Sequence, residues 1–280
     1  SDFASPLGPK PPHFPAKAKR IIQLFMPGGP SQVDTFDYKP MIAKHAGERP
    51  DSVNRKSLRN TKMGLMPSPF RFQQYGKCGK WVSDIFPETA QCVDDICFIH
   101  SMHTDIPEHA GGILMTNVGA LQPNRPSMGS WISYGLGSEN KNLPSFVTIC
   151  PTSLHGGVNN FGSAFLPARH QGVPLGAPGY PNTSGKDAKF HYMKNLSSGG
   201  VEEQLQIDLL RKLHQGNAIE NDQLDARINS FELAFRMQMA APEVTNLSRE
   251  SKLTRELYGI DGSETDNFGR QCLLARRLAE

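Results

Sequence analysis

Three short apolar runs set the tightest limit on what this chain can fold into: Arg20–Met26 (RIIQLFM), Asp95–Ser101 (DICFIHS) and Phe146–Cys150 (FVTIC). The first stops at Pro27-Gly28-Gly29-Pro30 and the third at Pro151. Runs of this length between turn signals read as strands buried on both faces of a parallel sheet. The stretches between and after them have helical spacing. Trp81–Val93 places Val82, Ile85, Phe86, Ala90 and Val93 at helical intervals, although Pro87 marks a kink or a split. Glu108–Val118 and Ser127–Leu136 predict two further helices, with Pro126 suited to the first turn of the second. Val201–His214, Gln223–Met239, Leu247–Tyr258 and Asn267–Glu280 predict a helical C-terminal part, the last helix opening at Asp266 as its N-cap. Strands alternating with helices predict an α/β fold, here an incomplete, doubly wound, mostly parallel sheet. Three strands do not complete such a sheet. Residues 20–280 are therefore expected to be the N-terminal part of one longer domain, behind an extended, proline-rich arm at residues 1–19.

Composition narrows the function classes. With 30 Lys and Arg against 27 Asp and Glu, the net charge is +3 and the signs are mixed, so no nucleic-acid partner is expected. The basic residues Lys10, Lys17, Lys19 and Arg20 read as a solvated face of the arm. No run of about 18 apolar residues exists, so no transmembrane segment is expected. The 26 Gly and 22 Pro have no period and point to many loops, residues 151–200 above all. Five Cys without C-x-x-C spacing make neither a zinc ribbon nor a disulfide framework, and Cys97 and Cys150 read as core residues. Trp131 and Tyr134 also read as core, as does the stripe Phe231, Ala234, Phe235, Met237 and Met239.

Three segments could carry chemistry. Ligands in open α/β sheets bind beyond the carboxyl ends of strands. The loop after the first run offers Asp34 and Asp37 there as hard oxygen donors for a cation; the same residues also suit a turn followed by a capped helix. The segment His100–His109 brings His100, His103 and His109 together with Asp105 and Glu108, a mixture that suits zinc, manganese or iron. His109, at a helix start, also faces free backbone N–H groups that favour an anion. Asp105 or Glu108 could instead cap that helix. Third, Arg125 and Ser127 stand at the start of the next helix. There they could hold a phosphate or sulfate, or Ser127 could be a metal-activated nucleophile; helix capping is the competing role.

Four blocks in order, RIIQLFMPGGPSQVDTFDYKP, DDICFIHSMHTDIPEHAGG, RPSMGSWISYGLGSENKNLPSFV and FELAFRMQMAAPEVTNLS, resemble the domain-of-unknown-function family numbered 1501. That family is abundant in planctomycetes and is similar to the alkaline phosphatase/sulfatase superfamily. The resemblance implies a doubly wound sheet of that type with a divalent metal (zinc, manganese or calcium) at its carboxyl edge. It implies Asp34 as a metal ligand, with Asp37 in reserve. Joined to the reading of the residues, this makes Asp34, Asp37, Asp105 and His109 the expected metal ligands, Ser127 and His109 the expected catalytic groups, and Arg125 and His103 the groups expected beside the substrate. The substrate class implied is a sulfated or phosphorylated small molecule or polysaccharide. The sulfatase Cys-x-Pro-Ser-Arg motif has no match, because no Cys precedes Pro126-Ser127 and Met128 follows it. Further ligands are expected from a later part of the same chain. Export by a twin-arginine signal to the periplasm is a further implication. A non-catalytic binding or envelope-assembly protein on the same fold is the alternative.

Overall fold

The computed structural model describes residues 7–26, 29–49, 64–106, 108–177, 184–190, 200–215, 228, 231–233, 236–237 and 241–280. The chain divides into two compact units, Phe25–His109 and a larger one of Ser1–Leu24 with Ala110–Glu280. The fold is mixed α/β, with short strands in two small sheets.

The smaller unit is organised by a hairpin. Strand β1 (Phe72–Tyr75) pairs antiparallel with β2 (Lys80–Ser83), in the register Phe72↔Ser83 and Gln74↔Trp81. The turn between them needs Gly76, at φ +66°, where a Cβ would come within 2.6 Å of Asp94 Oδ1. Asp94 in turn pins the turn by accepting from the backbone N–H of Lys77 (2.8 Å) and Cys78 (2.9 Å). The predicted helix Trp81–Val93 is therefore replaced. Its first residues pair with β1, and Pro87 starts the one-turn helix α2 (Pro87–Ala90) after α1 (Pro40–Lys44). A proline at the first helical position costs no hydrogen bond, whereas in the interior it breaks one. Val82, Ala90 and Val93 form the core of this unit, with Phe36, Tyr75, Phe86 and Phe98 packed against it.

The larger unit holds the only parallel pair among the described residues. Strand β3 (Val147–Ile149) lies beside β4 (Val173–Leu175), Ile149 opposite Leu175. Helices α3 (His109–Val118) and α4 (Met128–Leu136) precede them. After them come α5 (Gly200–Gln215), α6 (Lys252–Leu257) and α7 (Asp266–Ala279). The core joins Leu143, Cys150, Leu175, Phe190 and Leu274. The arm is not solvated throughout. Lys10 donates its backbone N–H to Leu136 O (2.9 Å) and its ammonium to Tyr134 O (2.6 Å), a cation at the carbonyl end of α4.

Several expectations are corrected. Neither Arg20–Met26 nor Ile96–Ser101 forms a strand among the described residues; Ile21, Leu24 and Ile99 are exposed there, and so is Cys97. An apolar run becomes a strand only when a neighbour takes up its backbone groups, and no ladder is offered to either segment. Trp131 and Tyr134 are 45% and 42% exposed, because α4 buries its small face, Ser130 and Ser133, instead. Ser130 and Ser133 lie three residues apart on one face and let the helix approach closely. Phe231 is exposed and Met237 buried; Ala234, Phe235 and Met239 lie outside the described residues, as do Pro27 and Gly28. Leu247–Tyr258 splits, with Ser251 capping α6 through Thr254 N (3.0 Å). Asp266 is the first residue of α7 instead of its cap. Its carboxylate accepts from the Arg270 guanidinium (3.0 Å) and, with smaller effect, from Asp261 N (2.7 Å), which hold its pKa down at about 2.

Candidate functional site

Asp37, Lys80, Asp94 and His100 of the smaller unit line one open cleft of about 430 Å³. Three segments build it: residues 36–38 after a short 3-10 turn, residues 78–81 at the hairpin turn and the start of β2, and residues 93–100. Asp37 is bound by Lys39 (2.9 Å), and His100 Nδ1 stands 3.8 Å from the same carboxylate oxygen. On the other side of the imidazole the Lys80 ammonium donates to His100 Nε2. Lys80 Nζ also sits 4.4 Å from the centroid of the Phe98 ring. Burial lowers the Lys80 pKa below its ordinary value, and the Asp37 charge works against that shift. An acceptor role at Nε2 places the ring proton on Nδ1, facing Asp37. The result is a row of cation, imidazole and carboxylate, hydrogen-bonded on the Lys80 side and electrostatic across the 3.8 Å to Asp37.

Of the residues singled out in the sequence for chemistry, Asp37 and His100 line this cleft. Asp34 lies in the preceding 3-10 turn, where the Ser68 and Ser31 hydroxyls lower its pKa by hydrogen bonding. Asp105, His109 and Arg125 are exposed. His103 is exposed too, its Nδ1 3.5 Å from Ser101 O. Among the described residues no three of His, Cys, Asp or Glu converge as metal ligands. In the cleft, Asp37 with His100 does not fit a metal either: Lys39 already neutralises the carboxylate, and the Lys80 ammonium takes the Nε2 lone pair. A tightly held divalent ion needs about three or four protein ligands. Sequence reasoning missed Lys80. The signal was the Gly76-Lys77-Cys78-Gly79 turn, which marks a hairpin and so sets Lys80 at the start of a strand.

Ser127 takes the capping role. It is 1% exposed and caps α4. Its Oγ accepts from Ser130 N (3.4 Å) and lies 2.9 Å from Ser130 Oγ, which in turn donates to Gly162 O (3.1 Å). Ser127→Ala is expected to lower stability by about 1 kcal/mol through loss of the cap. A urea unfolding midpoint unchanged by the substitution would show that the cap contributes nothing.

The larger unit carries a second polar cluster. His170 is buried, with Nδ1 2.9 Å from Ser133 Oγ, which stands 2.6 Å from Ser145 Oγ. Tyr134 meets the imidazole edge-on at 5.4 Å. Burial, aided by the charges of Arg169 and Lys10, pushes the His170 pKa down from 6.5 to about 4. The unfolded chain takes up this proton as pH falls through 6.5, while the folded chain stays neutral down to about 4. Stability present above pH 6.5 is thus lost as pH falls toward 4, by about 3 kcal/mol in total. His170→Gln is expected to flatten that limb of a melting-temperature profile. A profile of unchanged slope would assign the acid sensitivity to other groups.

No curated protein and no solved structure matches the chain. One family model does, over residues 18–280, and it takes in the hairpin, the cleft and helices α1 to α7. On that match the chain belongs to the family described as protein of unknown function, DUF1501.

Proposed function

We propose that this protein hydrolyses sulfate or phosphate esters, with His100 as the acid–base group between Lys80 and Asp37. The observation that carries the reading is the contact of the Lys80 ammonium with one imidazole nitrogen while Asp37 faces the other. In this reading Lys80 binds the non-bridging oxygens of the ester. As Lys80 turns to the ester it frees the Nε2 lone pair of His100. A water oxygen bonds to sulfur or phosphorus while its proton passes to that Nε2, and the ester oxygen leaves with its electron pair, as nitrophenolate or with a proton taken from solvent. The Asp37 carboxylate, 3.8 Å from Nδ1, stabilises the imidazolium so formed until it returns its proton to bulk water. Such positioned proton transfer contributes about 10²–10⁴-fold.

The reaction class comes from the resemblance to the alkaline phosphatase superfamily. A doubly wound sheet of that type, a divalent metal (zinc, manganese or calcium) and twin-arginine export belong to the same reading and rest on the resemblance alone. The second reading, a non-catalytic binding protein, is favoured by the burial of Ser127, the expected nucleophile.

The test is release of nitrophenolate from 4-nitrophenyl sulfate and 4-nitrophenyl phosphate, with and without zinc or manganese, alongside elemental analysis for bound metal. Turnover that falls in Lys80→Met supports the reading. Turnover of neither ester under any condition sinks it and leaves the binding protein.

A further inference from the structure

We infer that the cleft of the smaller unit binds a neutral saccharide ring, with Trp81 and Tyr38 as the face on which the ring lies. The assignment shares its cleft with the ester-hydrolase reading but does not depend on turnover. Both side chains line the cavity, and they remain 37% and 39% exposed. Their ring centroids are 4.6 Å apart, and Phe72 stacks on Tyr38 at 4.9 Å. The register of the hairpin puts Phe72 and Trp81 on one face, so three rings brace one another at the cleft. A pyranose has an apolar C–H face and a rim of hydroxyls. Laid on an aromatic ring, that face and the ring both leave water, which is favourable.

The polar groups of the cleft select the rim. Asp37 and Asp94 offer acceptors, and Lys80 and His100 offer donors, in the same cavity. A hydroxyl both donates and accepts, so it can sit beside either kind. Along the lining the Lys80 ammonium stands against two carboxylates, Asp37 and Asp94, so a rim of neutral hydroxyls fits it and an ester anion has its place only at Lys80. A plain aryl ring would use the wall but leave both carboxylates without a new partner. The cavity size falls within the range of small-molecule sites.

The experiment uses the second of the chain's two tryptophans. Trp131 lies in the larger unit, so Trp131→Phe leaves Trp81 as the sole tryptophan reporter. The full chain with this substitution is titrated with the methyl glycosides of glucose, galactose, mannose, xylose and N-acetylglucosamine, and with phenyl sulfate and sodium sulfate. A saturable emission change with at least one glycoside is expected. Tyr38→Ala should weaken it at least tenfold, and Tyr38→Phe, which keeps the ring, should preserve it. No response to any glycoside, or a response to phenyl sulfate or sulfate alone, overturns the assignment. So does equal loss in Tyr38→Ala and Tyr38→Phe. Saccharide binding without ester turnover would leave this inference standing and remove the hydrolase reading. Turnover without saccharide binding would do the reverse.

Discussion

Replacing His100 by alanine is expected to lower turnover of a 4-nitrophenyl ester by about two to four orders of magnitude. The imidazole is the only group in the cleft that faces both an ammonium and a carboxylate, Lys80 on Nε2 and Asp37 on Nδ1. Its loss removes the base that takes the proton of the attacking water and leaves Lys80 without the acceptor it now meets. The side chain is 41% exposed, so the fold should be little affected, within about 0.5 kcal/mol as for most surface substitutions. Added imidazole should restore part of the rate, because a small ring can diffuse into an open cleft. The measurement is kcat and KM for wild type and variant, with a thermal melt to compare folding. A variant with a raised KM and unchanged kcat would make His100 a binding group. A rate within twofold of wild type would remove it from the chemistry.

Gly269→Ala is expected to destabilise the larger unit by about 3 kcal/mol, the upper end of overpacking effects. In a free helix the same change stabilises by about 1 kcal/mol. Here the sign reverses because a Cβ at Gly269 would stand 1.9 Å from the Tyr258 carbonyl oxygen, a backbone atom that cannot swing aside. The helix would have to retreat, and Leu273 and Leu274, 0% and 1% exposed on α7, would lose their packing with it. Gly135 in α4 is the control. A Cβ there meets nothing within 4 Å, so Gly135→Ala should gain up to about 1 kcal/mol. Equal melting temperatures for the two variants would show that Tyr258 does not set the position of α7.

Where the determinants are local, the elements were legible. Pro126 and Ser127 before an apolar run announced α4, and β3 appeared within the run Phe146–Cys150. Leu273 and Leu274 are core residues, as their spacing in the last helix implied. The four blocks in order were enough to place the chain in its family. The failures share a cause. Arg20–Met26 and Ile96–Ser101 are as apolar as β3, but a strand also requires a neighbouring ladder, and composition does not say whether one exists. The hairpin was hidden by polarity, since Phe72–Tyr75 exposes Gln73 and Gln74 and carries little apolar alternation.

By itself, then, the sequence determined the family, the helices with their own caps and periodicity, and the presence of acidic and imidazole groups near residues 34–37 and 100–109. The tertiary structure alone decided which of these groups meet. Lys80 reaches His100 across 20 residues of chain because a glycine turn folds β2 back on β1. Asp37 faces the same ring across a longer separation. Asp34, Asp105 and His109, nearer in sequence to these partners, do not join them in the cleft. Helical spacing and capping act over one or two turns and can be read from neighbouring residues. A hydrogen bond or ion pair acts over about 3–4 Å in space, and only the folded path of the backbone sets that distance.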